Sequence, residues 1–138
     1  MCDELFIKTN MKKDFDTWNT IKKNISDKEF NGFVHEREIW WCFLGINVGF
    51  EQDGDKINHQ RPVLILKVLS NNTCLVIPLT TSLKEHRMRK RIGKINGKVA
   101  SALISQIKVI DTKRLVNKIG IIKEELFYEV RKTVRDLF

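Results

Sequence analysis

The residues of this chain that are best able to do chemistry lie in one segment, where short apolar runs separate three polar positions. Glu51 comes first, Arg61 follows it, and the pair Thr80-Thr81 closes the segment. A guanidinium can hold a phosphate through two parallel N–H bonds, and threonine hydroxyls can donate to phosphate oxygens. The spacing therefore predicts a phosphodiester site that needs no metal or other cofactor, in which Glu51 could pair with Arg61 and hold its fork in place. Taken singly, a solvated loop acid and a structural threonine pair are the simpler interpretations.

Polar and basic residues nearby extend this candidate site. Gln52 adjoins the loop acid, and His59 lies two residues before the arginine, so that it could approach the same site as acid or base. The stretch 84–94 is strongly basic and would attract a nucleic-acid backbone whatever its sequence. Its candidate binding residues are Lys84, His86, Arg87 and Arg89. A solvated edge strand guarded by its charges is the simpler interpretation of this stretch.

The composition limits the classes of protein to consider. With 138 residues, 42% of them hydrophobic, the chain is expected to form one domain with a real core. Its net charge of +8 favours a polyanion as partner. No apolar run of about 18 residues exists, so no membrane span is expected. The absence of GxGxxG, P-loop, HExxH and GxSxG motifs leaves nucleotide hydrolysis and acyl transfer without support.

The cysteines indicate a reducing compartment. Cys2, Cys42 and Cys74 are odd in number, widely spaced and form no CxxC pair, so a metal or disulfide framework is poorly supported. We interpret them as reduced thiols of a cytoplasmic protein, with Cys42 and Cys74 packed in strands.

The elements that must position the candidate site are predicted to be mainly strands. Aromatic and β-branched residues predict strands over 38–44, 62–69 and 73–79, a strand ending near 95, one starting near 99, and its continuation over 102–110. Ser70-Asn71-Asn72 and Asn96-Gly97 predict hairpin turns. Pro78 removes a backbone donor, which predicts an edge, a bulge or a strand end; a bulge would re-aim the threonine pair.

Helical signals lie at both ends of the chain. Asp14 can cap a helix that ends near 26–27, and Phe15, Trp18, Ile21 and Ile25 recur in it at helical spacing. This helix is interpreted as a packing helix, with a regulatory or dimer-stabilising role as the alternative. Asp111 or Thr112 could cap a short helix over 113–118, and the pattern over 123–137 predicts an amphipathic helix. Together the elements predict a mainly β, α+β fold: a small curled barrel with helices packed outside.

Five segments in one order resemble the MazF/PemK toxins of bacterial toxin–antitoxin modules. They are Glu38-Ile-Trp-Trp-Cys-Phe43, Gly49-Phe-Glu-Gln52, Arg61-Pro-Val-Leu-Ile65, Ile77-Pro-Leu-Thr-Thr81 and Gln106-Ile-Lys-Val-Ile-Asp111. The resemblance covers about 36–138, so we expect an N-terminal helical extension over 1–36 and the barrel domain over 37–138. The chain departs from the family in a longer loop over 53–60 and in Phe50 at a position usually held by serine.

The resemblance implies an SH3-like, CcdB-PemK-like barrel that forms a homodimer. It also implies a ribosome-independent, metal-independent and sequence-specific endoribonuclease that leaves a 2′,3′-cyclic phosphate and a 5′-hydroxyl, inhibiting translation and growth. The family's catalytic positions fall on Arg61, Thr80 and Glu51. The residues expected to bind RNA are Gln52, His59, Thr81, Lys84, His86, Arg87, Arg89 and Gln106. The expected partners are single-stranded RNA and an acidic antitoxin lying across the basic groove.

Two other functions remain open from the sequence. A toxin of the same fold could bind DNA gyrase without enzymatic activity, and it would then not need Arg61 and Thr80. A plain nucleic-acid-binding barrel would instead use the basic stretch 87–94 and exposed aromatic side chains.

Overall fold

The computed structural model describes residues 13–55 and 58–138. Their helices are α1 (Phe15–Asp27) and α2 (Glu124–Arg135). Their strands are β1 (Glu38–Phe43), β2 (Gln60–Val68), β3 (Thr73–Thr80), β4 (Arg89–Ile95), β5 (Lys98–Leu103), β6 (Lys108–Asp111) and β7 (Leu115–Ile121). In this part of the chain, no helix is long and apolar enough to cross a membrane.

The strands form one curled antiparallel sheet in which β3 has three neighbours. The order is β4-β5-β3-β2-β1-β7, and β6 also pairs with β3. One edge of β3 pairs with β2. Its other edge pairs first with β6, through Val76, and then with β5, from Leu79. Because β2 and β3 are antiparallel, the beginning of β2 lies beside the end of β3. The sheet as a whole confirms the predicted α+β barrel architecture.

The core has two parts, and β2 contributes to both. Val63 and Ile65 belong to one buried cluster, whereas Leu64 and Leu66 belong to the other, which α2 covers. All four side chains are buried, as expected for a strand with apolar residues on both faces. The helix α2 begins and ends close to the predicted bounds, and its Phe127 is buried against the sheet.

Two free thiols, Cys42 and Cys74, lie fully buried in the cluster that contains Val63. Burial raises the pKa of Cys42 to about 12 and that of Cys74 to about 11. The prediction that both cysteines pack in strands is therefore confirmed. Cys2 lies outside the described residues.

The predicted N-terminal helix is confirmed in position and in its cap. The side chain of Asp14 accepts the backbone N–H of Thr17 at 3.0 Å, and α1 ends at Asp27. Trp18 and Ile25 are buried, while Phe15 at the start of the helix remains half exposed. Trp18 and Ile25, rather than the whole apolar stripe, therefore fix this helix to the barrel.

The prediction of one strand over 102–110 is wrong. β5 ends at Leu103, a 3₁₀ turn follows over Ile104–Gln106, and β6 begins only at Lys108. The cause lies in the pairing with β3. From Ala102 to Lys108 the chain advances by six residues, whereas the β3 partners of these two residues are only three residues apart. The 3₁₀ turn takes up the extra residues.

The prediction of a short helix over 113–118 is also wrong. Asp111 does cap a turn, accepting the backbone N–H of Lys113 at 2.8 Å, but this turn is a 3₁₀ turn over Thr112–Arg114. The chain then enters β7, which pairs with β1. The local cap signal was real, but pairing with a strand that is distant in sequence makes the next segment extended.

Of the three alternatives predicted for Pro78, an edge, a bulge or a strand end, the bulge does not form, and the strand ends two residues later at Thr80. Pro78 pairs in register with Val63, and the irregularity between β2 and β3 lies instead between Ile65 and Lys67. On the opposite edge of β3, Pro78 falls in the gap between the pairing with β6 and the pairing with β5. A residue without an N–H donor suits a position where the strand changes neighbours.

Candidate active site

Arg61 and Thr80 line one cleft at the end of the sheet where β2 begins and β3 ends. The cleft has a volume of about 450 Å³. Its other walls come from β1, from the 53–60 loop and from the β4–β5 hairpin, through Trp41, Asp55, Gln60, Pro62, Leu79, Thr81, Ile95, Asn96, Lys98 and Ala100. The antiparallel pairing of β2 with β3 thus brings together two side chains that are far apart in sequence.

Two backbone carbonyls hold the guanidinium of Arg61. Its Nε donates to the carbonyl of Asp53 at 2.8 Å, and its Nη1 donates to the carbonyl of Leu79 at 3.0 Å. Within residues 13–55 and 58–138, the structure gives its Nη2 group no acceptor, so these N–H bonds are available to a ligand. Burial lowers the pKa of Arg61, and the charges of Asp53 and Asp55 oppose this effect.

Thr80 lines the same cleft. Its Oγ1 accepts the backbone N–H of Ser82 at 3.2 Å, and its backbone pairs with Ser101 of β5. An oxygen that already accepts one hydrogen bond can still donate its own proton. Thr81 also lines the cleft but is more exposed.

The loop that follows β1 is held by Asp53, a residue that the sequence analysis placed only within the longer loop over 53–60. Its carbonyl accepts from Arg61, and its carboxylate accepts the backbone N–H of Asn47 at 2.7 Å. Gly54 closes the loop with an N–H donated to the carbonyl of Gly45 at 2.9 Å. An Asp-Gly-Asp sequence signals a turn, but nothing in it shows that the first carbonyl will serve the arginine.

The expected pairing of Glu51 with Arg61 does not form. Among the described residues no ion pair joins these two side chains, and the charges that act on Arg61 are those of Asp53 and Asp55. Glu51 is exposed, does not line the cleft, and exerts its charge on Lys108 instead. The backbone carbonyls take the place that a carboxylate was expected to fill.

Gln52 and Gln106 tie the same loop to the 3₁₀ turn after β5. The side-chain oxygen of Gln106 accepts the backbone N–H of Gln52 at 3.3 Å, and its amide nitrogen reaches the carbonyl of Phe50 at 3.5 Å. Gln52 in turn donates from Nε2 to the carbonyl of Asp53 at 3.2 Å. In this structure both glutamines support the loop that holds Arg61.

His59 is buried rather than open to the cleft. Only 4% of its surface is exposed, its ring centre lies 5.6 Å from that of Trp18, and its Nδ1 has no partner in the described part of the chain. The expectation that His59 approaches the site and contacts RNA is corrected accordingly, because α1 covers this residue. Its proximity to Arg61 in sequence gave no information about the direction of its side chain.

A second cleft, of about 510 Å³, is basic, and its lining begins at Ser82, two residues after Thr80 in the chain. Its lining includes Ser82, Lys84, Glu85, His86, Arg87, Arg89, Arg91 and Ser101. Arg89 donates to the carbonyl of Lys84 at 3.2 Å, which orders the loop before β4. The four basic-stretch candidates Lys84, His86, Arg87 and Arg89 therefore share one surface.

Comparison with solved structures identifies the class of fold. MazF from Deinococcus radiodurans superposes with a TM-score of 0.62 at 18% identity, over 77% of this chain and 97% of that one. The Mycobacterium tuberculosis toxin MazF-mt6 gives 0.55 at 15% identity, over 72% and 94%. A mycobacterial endoribonuclease in complex with its cognate antitoxin gives 0.54 at 13%, over 75% and 93%. At these identities the likeness establishes the fold alone.

Sequence comparison goes one step further. The model of the PemK-like, MazF-like toxins of type II toxin–antitoxin systems matches residues 35–138. The chain therefore belongs to this family, as its five sequence segments predicted. No protein with curated annotation matches the chain by sequence. The match begins after α1, so the N-terminal helix is an addition to the region that the family shares.

Proposed function

We propose that this protein is the toxin of a type II toxin–antitoxin module and a metal-independent, sequence-specific endoribonuclease of single-stranded RNA. The observation that carries the proposal is that Arg61 and Thr80, which are far apart in sequence, line one cleft. Family membership supports the toxin role. Cleavage of messenger RNA by such an enzyme would stop translation and growth.

The proposed reaction is an internal transesterification. The RNA 2′-oxygen attacks the neighbouring phosphorus, a P–O2′ bond forms, and the P–O5′ bond breaks. The 2′-proton is lost to solvent and the 5′-oxygen gains a proton, which gives a 2′,3′-cyclic phosphate and a 5′-hydroxyl. Because the nucleophile is tethered to its target, alignment supplies much of the acceleration.

The chain's own part in this reaction is to stabilise charge on the phosphorane oxygens. The Nη2 group of Arg61 and the hydroxyl of Thr80 are N–H and O–H donors of the required kind. Arg61 could also deliver the proton that the leaving 5′-oxygen needs, although its high pKa makes it a reluctant acid. Glu51 is proposed only as support for the loop, through its charge on Lys108.

The basic cleft that contains Lys84, His86, Arg87 and Arg89 is the proposed path of the RNA backbone away from the reacting phosphate. Ser82, which lines this cleft, follows Thr81 of the first cleft directly in the chain, and this supports the direction. The same cleft is the proposed docking surface of an acidic antitoxin, since a neighbour of this fold is a complex with its cognate antitoxin. A cytoplasmic homodimer completes the proposal.

One assay tests the activity. Wild-type protein is incubated with a long RNA in excess EDTA, and the new 5′ ends are mapped beside those made by Arg61→Ala and Thr80→Val. We expect discrete cleavage by the wild type, and a loss of about 10²–10³ in rate for each variant, because each lacks one donor to the developing charge. Arg37→Ala is the matched control, since this arginine is also half-buried, donates to a backbone carbonyl, that of Ile122, and does not line the cleft.

The other outcomes distinguish the alternatives. Equal cleavage by wild type and both variants would remove Arg61 and Thr80 from the site. Absence of cleavage by the wild type, with growth arrest retained on expression, would favour the gyrase-binding toxin. RNA binding without either cleavage or growth arrest would favour a plain binding module.

A further inference from the structure

We propose that the N-terminal helix α1 is a positioning element of the cleft, and that Lys13 and Trp18 hold the loop that fixes Arg61. The inference rests on the proposed function in taking Arg61 as the residue that contacts phosphate. It assigns a role to a segment that lies outside the family match, which begins at residue 35. The contacts of Lys13, of Trp18 and of Asp53 carry it in turn.

Lys13 gathers three groups of the loop around one ammonium. Its Nζ lies 3.1 Å from Oδ2 of Asp53 and 2.9 Å from the carbonyl of Gly49, and it also contacts the carbonyl of Asn47. The side chain of Lys13 is only 15% exposed and that of Asp53 28%. An ion pair this shielded is screened little by solvent, so it acts more strongly than a surface pair.

Trp18 holds the other side of the loop by close packing. A β-carbon added to Gly45 would lie 2.0 Å from the Trp18 ring, so the indole rests directly on the glycine backbone. Gly45 donates its N–H to the carbonyl of His59 at 3.0 Å and accepts from Gly54. The indole thus covers the point at which the outgoing and returning arms of the loop meet.

The Trp18 contact reaches this region through Gly45, whose carbonyl accepts the N–H of Gly54. Asp53 transmits the Lys13 contact to Arg61. Its carboxylate receives Lys13 and the backbone N–H of Asn47, while its carbonyl receives Nε of Arg61 at 2.8 Å. A shift of this residue therefore moves the guanidinium. Misplacement of a reacting group by about 1 Å can cost on the order of 10² in rate. Lys13, Trp18 and Asp53 are positioning residues, since they act through Arg61.

The first test compares Lys13→Met and Asp53→Asn with the matched control Lys22→Met in the full chain. Lys22 is an exposed lysine of α1, the helix that Lys13 precedes, so the control removes the same charge and leaves the loop intact. We expect the two loop variants to lower kcat for RNA cleavage about 10- to 100-fold with little change in KM, and the control to behave as wild type. The unfolding temperature of each variant is measured alongside.

A second readout separates positioning from general loosening of the fold. In a double variant with Arg61→Lys, which lacks the planar fork, Lys13→Met should cause little further loss of kcat. The Nε–H signal of Arg61 in nitrogen-15 NMR, assigned by its disappearance in Arg61→Lys, should exchange with water about tenfold faster in Lys13→Met, since its bond to Asp53 is freed.

The outcomes are decisive in both directions. The proposal is overturned if kcat and the Arg61 signal are unchanged in both loop variants, or if the losses from Lys13→Met and Arg61→Lys add fully. If the wild type cleaves no RNA, the nuclease proposal fails and the Arg61 signal alone decides: faster exchange in Lys13→Met supports positioning, and unchanged exchange refutes it.

Discussion

Arg61 owes its place to two backbone carbonyls, and this choice of partners bears on what its charge can do. A carboxylate in contact would neutralise much of the guanidinium's field. The carbonyls of Asp53 and Leu79 orient the group through partial charges and leave its full positive charge directed at the cleft. The acids that act on Arg61 do so without an ion pair among the described residues, so the arginine is oriented and remains available to an anion.

The packing of α1 on the loop can be tested by substituting alanine for each of two glycines and comparing the losses in stability. Gly45 and Gly49 both have positive φ, +71° and +56°, but only a β-carbon at Gly45 would meet the Trp18 ring. We expect Gly49→Ala to cost about 1–2 kcal/mol, from backbone strain alone. Gly45→Ala should cost about 2–5 kcal/mol, because overpacking adds to that strain. Urea unfolding measures both, and equal losses would show that the indole does not rest on Gly45.

The strands show where sequence reasoning succeeded and where it could not. The bounds of α1, β2 and β3 follow from local signals: a cap at Asp14, an apolar run, and a hairpin turn. The break between β5 and β6 has no such signal, because it depends on the spacing of partners along β3. The strand β7 was hidden behind a genuine cap at Asp111. Local sequence signals such as caps and turns indicate where an element begins. Pairing with a strand that is distant in sequence decides whether that element is a helix or a strand.

The same contrast explains the site. Arg61 and Thr80 could be predicted because each stands at a strand end with an apolar run beside it. The carbonyl of Asp53 and the burial of His59 could not, since backbone acceptors carry no sequence signature and a loop residue's direction depends on what covers it. Trp41 faces the cleft while its neighbour Trp40 is buried, as strand alternation requires.

Glu38 lies where β1 pairs with β7, and it should make the free energy of unfolding depend on pH in the acid range. Burial of its carboxylate opposes ionisation, but hydrogen bonds from the backbone of His35, from Trp40 and from Lys118 prevail, and the pKa lies below its ordinary value of 4.5. A lowered folded pKa contributes stability above pH 4.5 that disappears as the pH falls through the folded value.

We therefore expect Glu38→Gln to lower the free energy of unfolding by about 1–3 kcal/mol at pH 7. The deficit should shrink as the pH falls below 4.5, where the wild type loses the same contribution. Urea unfolding from about pH 7 to about pH 3 measures this change, with the exposed neighbour Glu36→Gln as control. A deficit that stays constant over the range would contradict the assignment.

In the molecule as a whole, the two helices pack against different parts of the barrel. α2 seals one half of the core, with Val130 fully buried, whereas α1 packs on the loop beside the cleft through Trp18. The division into an extension over 1–36 and a barrel over 37–138 stays a prediction. The contacts of Lys13 support the proposal that the N-terminal extension helps to position the loop beside the cleft of the barrel.

The two buried thiols have a consequence for how the protein reacts with thiol reagents. Only a thiolate attacks iodoacetamide or peroxide, and burial with raised pKa values of about 12 and about 11 keeps Cys42 and Cys74 protonated at neutral pH. Each should be alkylated only when the barrel opens, and at one common rate because both lie in the same cluster. Mass spectrometry of the peptides that carry them measures the two rates, and rapid labelling of one alone would reveal local opening. The alkylation rate thus reports how often the barrel opens, and oxidants that disable thiol enzymes should leave these two cysteines unchanged.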